Sequence, residues 1–152
     1  PSQEMEALMI KEVRSLIIST EDSEVINQLS NIILEEDYSI IIEKSQTKSI
    51  LKVLEHHVDL LILDLAQPDS SKMDLVNIIR KTRPRLPIIV LSEDNSIDTL
   101  REFAKAGVFY CALKPIIKKE ITEVIQAVKR TNHKDEKIES LIFEKIKKLK
   151  KA

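Results

Sequence analysis

Five short runs of apolar, largely β-branched residues recur along the chain, at 15–19, 38–42, 58–63, 86–91 and 108–113. Each has the length of a strand, and several are apolar at consecutive positions, as strands covered on both faces must be. Between them lie stripes with helical spacing: Val25, Ile26, Leu29, Ile32 and Ile33; Ile50, Leu51 and Leu54; Leu75, Val76, Ile78 and Ile79; Ile97, Leu100, Phe103 and Ala104; and Ile121, Val124, Ile125 and Val128. Strict alternation of strand and helix predicts right-handed crossovers. The expected fold class is α/β, a five-stranded doubly wound parallel sheet with helices on both faces, plus a C-terminal helical extension.

With 152 residues the chain suits one domain and a short appendage. Three segments are expected: an extension at 1–13, possible as a helix through Met5, Leu8, Met9 and Val13; the α/β domain at 14–130; and a Lys-rich amphipathic tail or linker at 131–152. From Lys129 onward nine basic residues face four acidic ones, although the whole chain carries a formal charge of only -1. That near balance, with aromatics at 3 %, gives no reason to expect direct nucleic-acid binding. The single cysteine, Cys111, excludes an internal disulfide and suits a reducing compartment. No apolar run approaches the roughly 18 residues of a membrane span, and residues 1–13 are too polar for a signal peptide. The expectation is a cytoplasmic protein without a membrane partner.

Doubly wound sheets carry their functional groups beyond the carboxyl ends of the strands. Thr20, Glu21 and Asp22 follow the first run, Asp64 the third, Ser92 the fourth, and Lys114 with Pro115 the fifth. Carboxylates, a hydroxyl and an ammonium are thus expected on one edge. Clustered carboxylates repel unless a cation sits among them, and an oxygen-rich set completed by water and phosphate suits Mg²⁺. A carboxylate can also act as a nucleophile and form an aspartyl phosphate. Glu21 and Asp22 equally suit the start of a helix, where acids cap exposed N–H groups. Gly107 is the only glycine, so a glycine-rich dinucleotide or P-loop site is excluded.

The phrases DLLILDLAQP around Asp64, PIIVLS ending at Ser92 and AKAGVFYCALKP ending at Pro115 occur in an order and spacing that resemble the receiver-domain family of two-component response regulators. The resemblance covers about Arg14 to Arg130. It implies that Asp64 is the phosphoacceptor, that Ser92 contacts the phosphoryl group in the active state, and that Lys114 bridges to the phosphorylated aspartate. A cis Lys114–Pro115 bond is implied as well. A partner histidine kinase or phosphotransfer protein would supply the phosphoryl group, and an output domain or partner would receive the signal. Such a domain assists only its own phosphotransfer and dephosphorylation and is not otherwise an enzyme.

Departures from the family pattern are also legible. Its two acidic residues after the first strand fall on Thr20 and Glu21, or on Glu21 and Asp22 if the register shifts by one. The expected metal ligands are therefore Glu21, Asp22 and Asp64, with weak Mg²⁺ binding. Pro68 is in place, but the glycines usual after it are missing from DSSKMD. Glu93 would put a negative charge near the incoming phosphate, and Cys111 stands at the aromatic switch position, beside Tyr110. These changes keep open a pseudo-receiver, a protein-interaction domain that works without phosphorylation. A small-molecule-binding flavodoxin-like domain is a third option, disfavoured by the missing glycine loop. No output domain is recognisable after Arg130. In the tail, Ile138, Leu141, Ile142, Ile146 and Leu149 form a stripe expected to support self-association or to mark a linker, rather than to fold back, because 131–133 is polar.

Overall fold

The computed structural model describes residues 14–131 and 141–151. The elements run β1 (Arg14–Ser19), α1 (Ser23–Ile33), β2 (Tyr38–Glu43), α2 (Gln46–Glu55), β3 (Leu60–Ala66), α3 (Ser70–Thr82), β4 (Ile88–Ser92), α4 (Ile97–Lys105), β5 (Tyr110–Leu113), α5 (Lys118–Thr131) and α6 (Leu141–Lys151). All strand pairs are parallel, in the order β2-β1-β3-β4-β5. The chain order reverses beside β1, so the carboxyl ends of β1 and β3 flank a crevice. The extension at 1–13 lies outside the described residues, as does Ile138.

The sheet is buried on both faces, which is why its central strands are continuously apolar. One face packs α1 and α5 through Leu29, Ile33, Ile121 and Ile125. The other packs α2, α3 and α4 through Val53, Val76, Ile79 and Phe103. Each fully buried Leu, Ile or Phe contributes about 1.5–3 kcal/mol of transfer free energy. Four helix starts are capped by side chains: Asp22, Ser45, Asp69 and Ser96. These caps put polar residues on the same edge of the sheet as the strand carboxyl ends.

Strand bounds differ from the apolar runs for local reasons. Pro87 has no N–H to give a neighbour, so β4 starts at Ile88. The Val108 amide still closes the turn after α4, on the Phe103 carbonyl. That turn holds Gly107 at φ 78, a conformation in which a side chain is strained. At β3 the strand runs two residues past Asp64, with a register irregularity between Asp64 and Ala66 and a positive φ at Ala66. The α2 stripe is also turned. Leu51 and Leu54 are exposed, and Ser49 and Val53 face inward instead. The Ser49 hydroxyl meets that of Ser19 at 2.7 Å, so a polar pair takes the place next to the sheet that leucine was expected to fill.

The larger correction concerns the tail. Helix α6 folds back against α4 and β5. Ile142 and Ile146 are buried in the same cluster as Phe103, Ala104 and Cys111. Lys145, which interrupts the apolar stripe, donates to the Cys111 carbonyl at 3.1 Å. Two members of the expected stripe, Ile142 and Ile146, thus sit on the domain, whereas Leu149 is exposed. Burial of two isoleucines against the exposed side of α4 outweighs the polar break at 131–133.

Candidate functional site

Asp64 is the centre of the carboxyl-end crevice, and its side chain is only 6 % exposed. One oxygen, Oδ1, accepts the amide of Ala66 at 3.0 Å. The other, Oδ2, accepts the Thr20 hydroxyl at 2.7 Å and the Lys114 ammonium at 3.0 Å. The irregular end of β3 makes this possible, because the chain turns at Ala66 and aims that amide back at the carboxylate. Lys114 follows β5 directly, and Lys114–Pro115 is cis, as the family resemblance implied.

Lys114 also lies 3.2 Å from Asp22 Oδ2, so one ammonium bridges two carboxylates. Burial alone would lower the Lys114 pKa, but its bonds to Asp64 and Asp22 outweigh that and raise it. The bond to Lys114, helped by the amides of Glu24 and Val25, holds the Asp22 carboxyl below its ordinary range. Asp22 is therefore a helix cap whose carboxylate also reaches Lys114 in the cleft. Thr20 is buried, and its hydroxyl oxygen also accepts the Asp22 amide at 3.1 Å.

Glu21, Asp22, Asp64 and Lys114 all line one cleft of about 500 Å³, with Thr20 and Lys72. Glu21 is exposed at its rim, and among the described residues no cluster of three metal-binding side chains is preformed. The donor set still fits one hard cation of modest affinity. Mg²⁺ keeps several waters and is held by one or two carboxylates plus phosphate oxygens, and Asp22 and Asp64 face the same space.

Ser92 is fully buried, and its hydroxyl is engaged away from Asp64. It donates to the Asp94 carbonyl at 2.8 Å and accepts the Asp94 amide at 2.9 Å. Glu93 is exposed, with its carboxylate on the Gln67 amide group at 3.1 Å. Lys72 is a site residue that the sequence reading missed. Its ammonium donates to the carbonyls of Leu65 at 2.6 Å and Gln67 at 2.8 Å, tying α3 to the loop after Asp64. A lysine in the first turn of a helix opposes the dipole, and that mismatch was the available signal.

On β5, Cys111 is buried and its thiol is pushed up to about 12 by that burial. Tyr110 donates its hydroxyl to Glu120 at 2.8 Å, and Lys145 sits over its ring at 5.2 Å. No helix among the described residues is long and apolar enough to cross a membrane.

Comparison with known proteins agrees with this architecture. The family model described as the response regulator receiver domain matches residues 16–126. The DNA-binding transcriptional regulator NtrC of Azospirillum brasilense is 38 % identical over 74 residues, covering 49 % of this chain and 15 % of that protein. The transcriptional regulatory protein GlrR of Escherichia coli is 27 % identical over 110 residues, covering 72 % and 25 %. The chain thus spans a quarter or less of the length of these relatives. Among solved structures, a CheY-like receiver domain protein from Methanospirillum hungatei superposes with a TM-score of 0.70 at 19 % identity, covering 80 % of this chain and 98 % of that one. A response regulator from Thermotoga maritima gives 0.69 at 19 % identity, covering 76 % and 97 %. At such identity these structures establish the fold.

Proposed function

Since the chain belongs to the response regulator receiver domain family, we propose that it is a phosphorylation switch whose acceptor is Asp64. Receiver domains are signalling modules of two-component systems. They work with histidine kinases and output domains, and they generally bind Mg²⁺ at the acidic site. The observation that carries the proposal is the Asp64–Lys114 pair, a nearly buried carboxylate held by an ammonium at the mouth of a polar cleft.

The chemistry is a displacement at phosphorus. A carboxylate oxygen of Asp64 attacks the phosphoryl group of a phosphohistidine, the P–N bond breaks, and the imidazole leaves with a proton from solvent. Lys114 stays beside the new acyl phosphate and offsets its charge. Thr20 and the Ala66 amide fix the direction of attack. Ser92 exchanges its bonds to Asp94 for a phosphoryl oxygen. Asp22 and Asp64, with Glu21 at the rim, would hold Mg²⁺, which when bound neutralises charge on the phosphoryl oxygens.

The chain corresponds to the receiver portion, 14–130, with 131–152 as an appended tail. By analogy with its relatives, a cytoplasmic histidine kinase or phosphotransfer protein is the upstream partner, and an output domain or protein is the downstream one. Self-association through the tail would require α6 to leave the domain. Thr20 in place of an acid lends some support to a pseudo-receiver, but the retained Asp64–Lys114 geometry argues against it. The test is chemical. After incubation with acetyl phosphate and Mg²⁺, the bound phosphoryl group should be released by neutral hydroxylamine, as an acyl phosphate is. A label that resists hydroxylamine, or no label, would contradict the proposal.

A further inference from the structure

Helix α6 does more than fill space. Its apolar side meets β5, an edge strand of the sheet, and the outer side of α4. Ile142 is fully buried there and Ile146 nearly so. Lys145, between them, holds the Cys111 carbonyl at 3.1 Å and covers the Tyr110 ring at 5.2 Å. The lysines beyond, at 147, 148, 150 and 151, remain exposed. Among the described side chains, two isoleucines and one ammonium make the contact.

The same face is wired to the candidate site by two short routes. Along the first, the Ser92 hydroxyl bonds the Asp94 backbone. The Asp94 carboxylate in turn bonds the Ser96 amide at 2.9 Å and the Thr99 hydroxyl at 2.7 Å, in the first turn of α4. Moving the Ser92 hydroxyl toward Asp64 releases Asp94 and loosens the start of the helix that α6 packs on. Along the second, Lys114 bonds Asp64 and follows the strand whose Cys111 carbonyl holds Lys145.

We infer that the α4–β5 face is a docking surface whose resident occupant is the chain's own α6, and that phosphorylation of Asp64 shifts α6 from docked to released. The coupling rests on the phosphoacceptor reading above, whereas the docking rests on the packing alone. Because α6 packs directly on α4 and β5, a change in α4 moves its equilibrium between docked and released. Release would uncover the face for a competing partner and free a strongly basic helix.

Cys111 is the only cysteine and lies beneath α6, so its alkylation by iodoacetamide in the full chain reads the docked state. In the unphosphorylated protein, Ile142→Ser should speed labelling about tenfold while far-UV circular dichroism stays that of a folded chain. Lys145→Gln, a change at a part-buried position that leaves both isoleucines in place, should speed it less but measurably, and it serves if Ile142→Ser does not fold. If folded variants label no faster than the parent, α6 is not the cover and the inference fails. The parent is then treated with acetyl phosphate and Mg²⁺, and its phosphoryl content is verified by mass. Phosphorylated chain should also label about tenfold faster, and Asp64→Asn should not respond. Phosphorylated chain that stays protected overturns the coupling. Absence of any phosphoryl mass overturns the phosphoacceptor reading and the coupling with it, while the variants still decide the docking.

Discussion

The Thr20 hydroxyl donates to Asp64 Oδ2 at 2.7 Å, so a neutral residue stands beside the candidate nucleophile, at a position that holds an acid in one of the two registers of the family pattern. The site thereby avoids the repulsion of a second carboxylate and also forgoes its affinity for a cation. Thr20→Asp should reverse both effects. Without Mg²⁺ the variant should melt below the parent, because two adjacent anions destabilise the folded state. The same Mg²⁺ concentration should then raise its Tm by more than it raises the parent's, since stabilisation grows with the ratio of ligand to Kd and reaches about 2.7 kcal/mol at 100-fold the Kd. Calorimetric scans with and without Mg²⁺ measure this directly. Equal Mg²⁺ responses in the two proteins would show that position 20 is outside the cation's reach.

The pH dependence follows from the Asp22–Lys114 contact. The folded-state pKa of Asp22 is depressed, chiefly by its bond to Lys114. A depressed carboxyl contributes stability that is complete above its unfolded pKa, about 3.9, and is lost as pH falls through the lower folded value. Urea midpoints should therefore fall as the solution is acidified below about pH 4. Asp22→Asn should flatten part of that decline and leave the neutral-pH fold intact. An unchanged acid profile in the variant would remove Asp22 from the account.

Lys72 ties the first turn of α3 to the Leu65 and Gln67 carbonyls. Lys72→Met keeps the length of the side chain and deletes both bonds, which should cost about 1–3 kcal/mol in urea unfolding. The loop after Asp64 should also hold its shape less well, so phosphorylation by acetyl phosphate should slow several-fold. A variant with parental stability and rate would make the Lys72 contacts incidental.

The sheet and the identity of its edge residues were legible because strands buried on both faces must be apolar at consecutive positions. Helix faces were less so. In α2, Ile50 packs on the core as its stripe implies, but Leu51 and Leu54 misled because Ser49 finds a hydroxyl partner in Ser19, a pairing that no periodicity reveals. At the site, Asp64 and Lys114 follow from strand ends, but Asp22 reads as a cap because it is one, and its second role depends on where Lys114 reaches. The docking of α6 was misread because the polar stretch at 131–133 looks like a spacer that keeps the tail off the domain. Lys145 serves as an anchor only because the Cys111 carbonyl on β5 lies within its reach.

The central claim is that Asp64 carries the phosphoryl group. Intact-mass analysis after incubation with acetyl phosphate and Mg²⁺ tests it most directly. The native chain should gain one increment of about 80 Da, and Asp64→Asn should gain none, because only a carboxylate forms the acyl phosphate. Equal gain in the Asp64→Asn protein, or no gain in either protein even with an active kinase, would contradict the account.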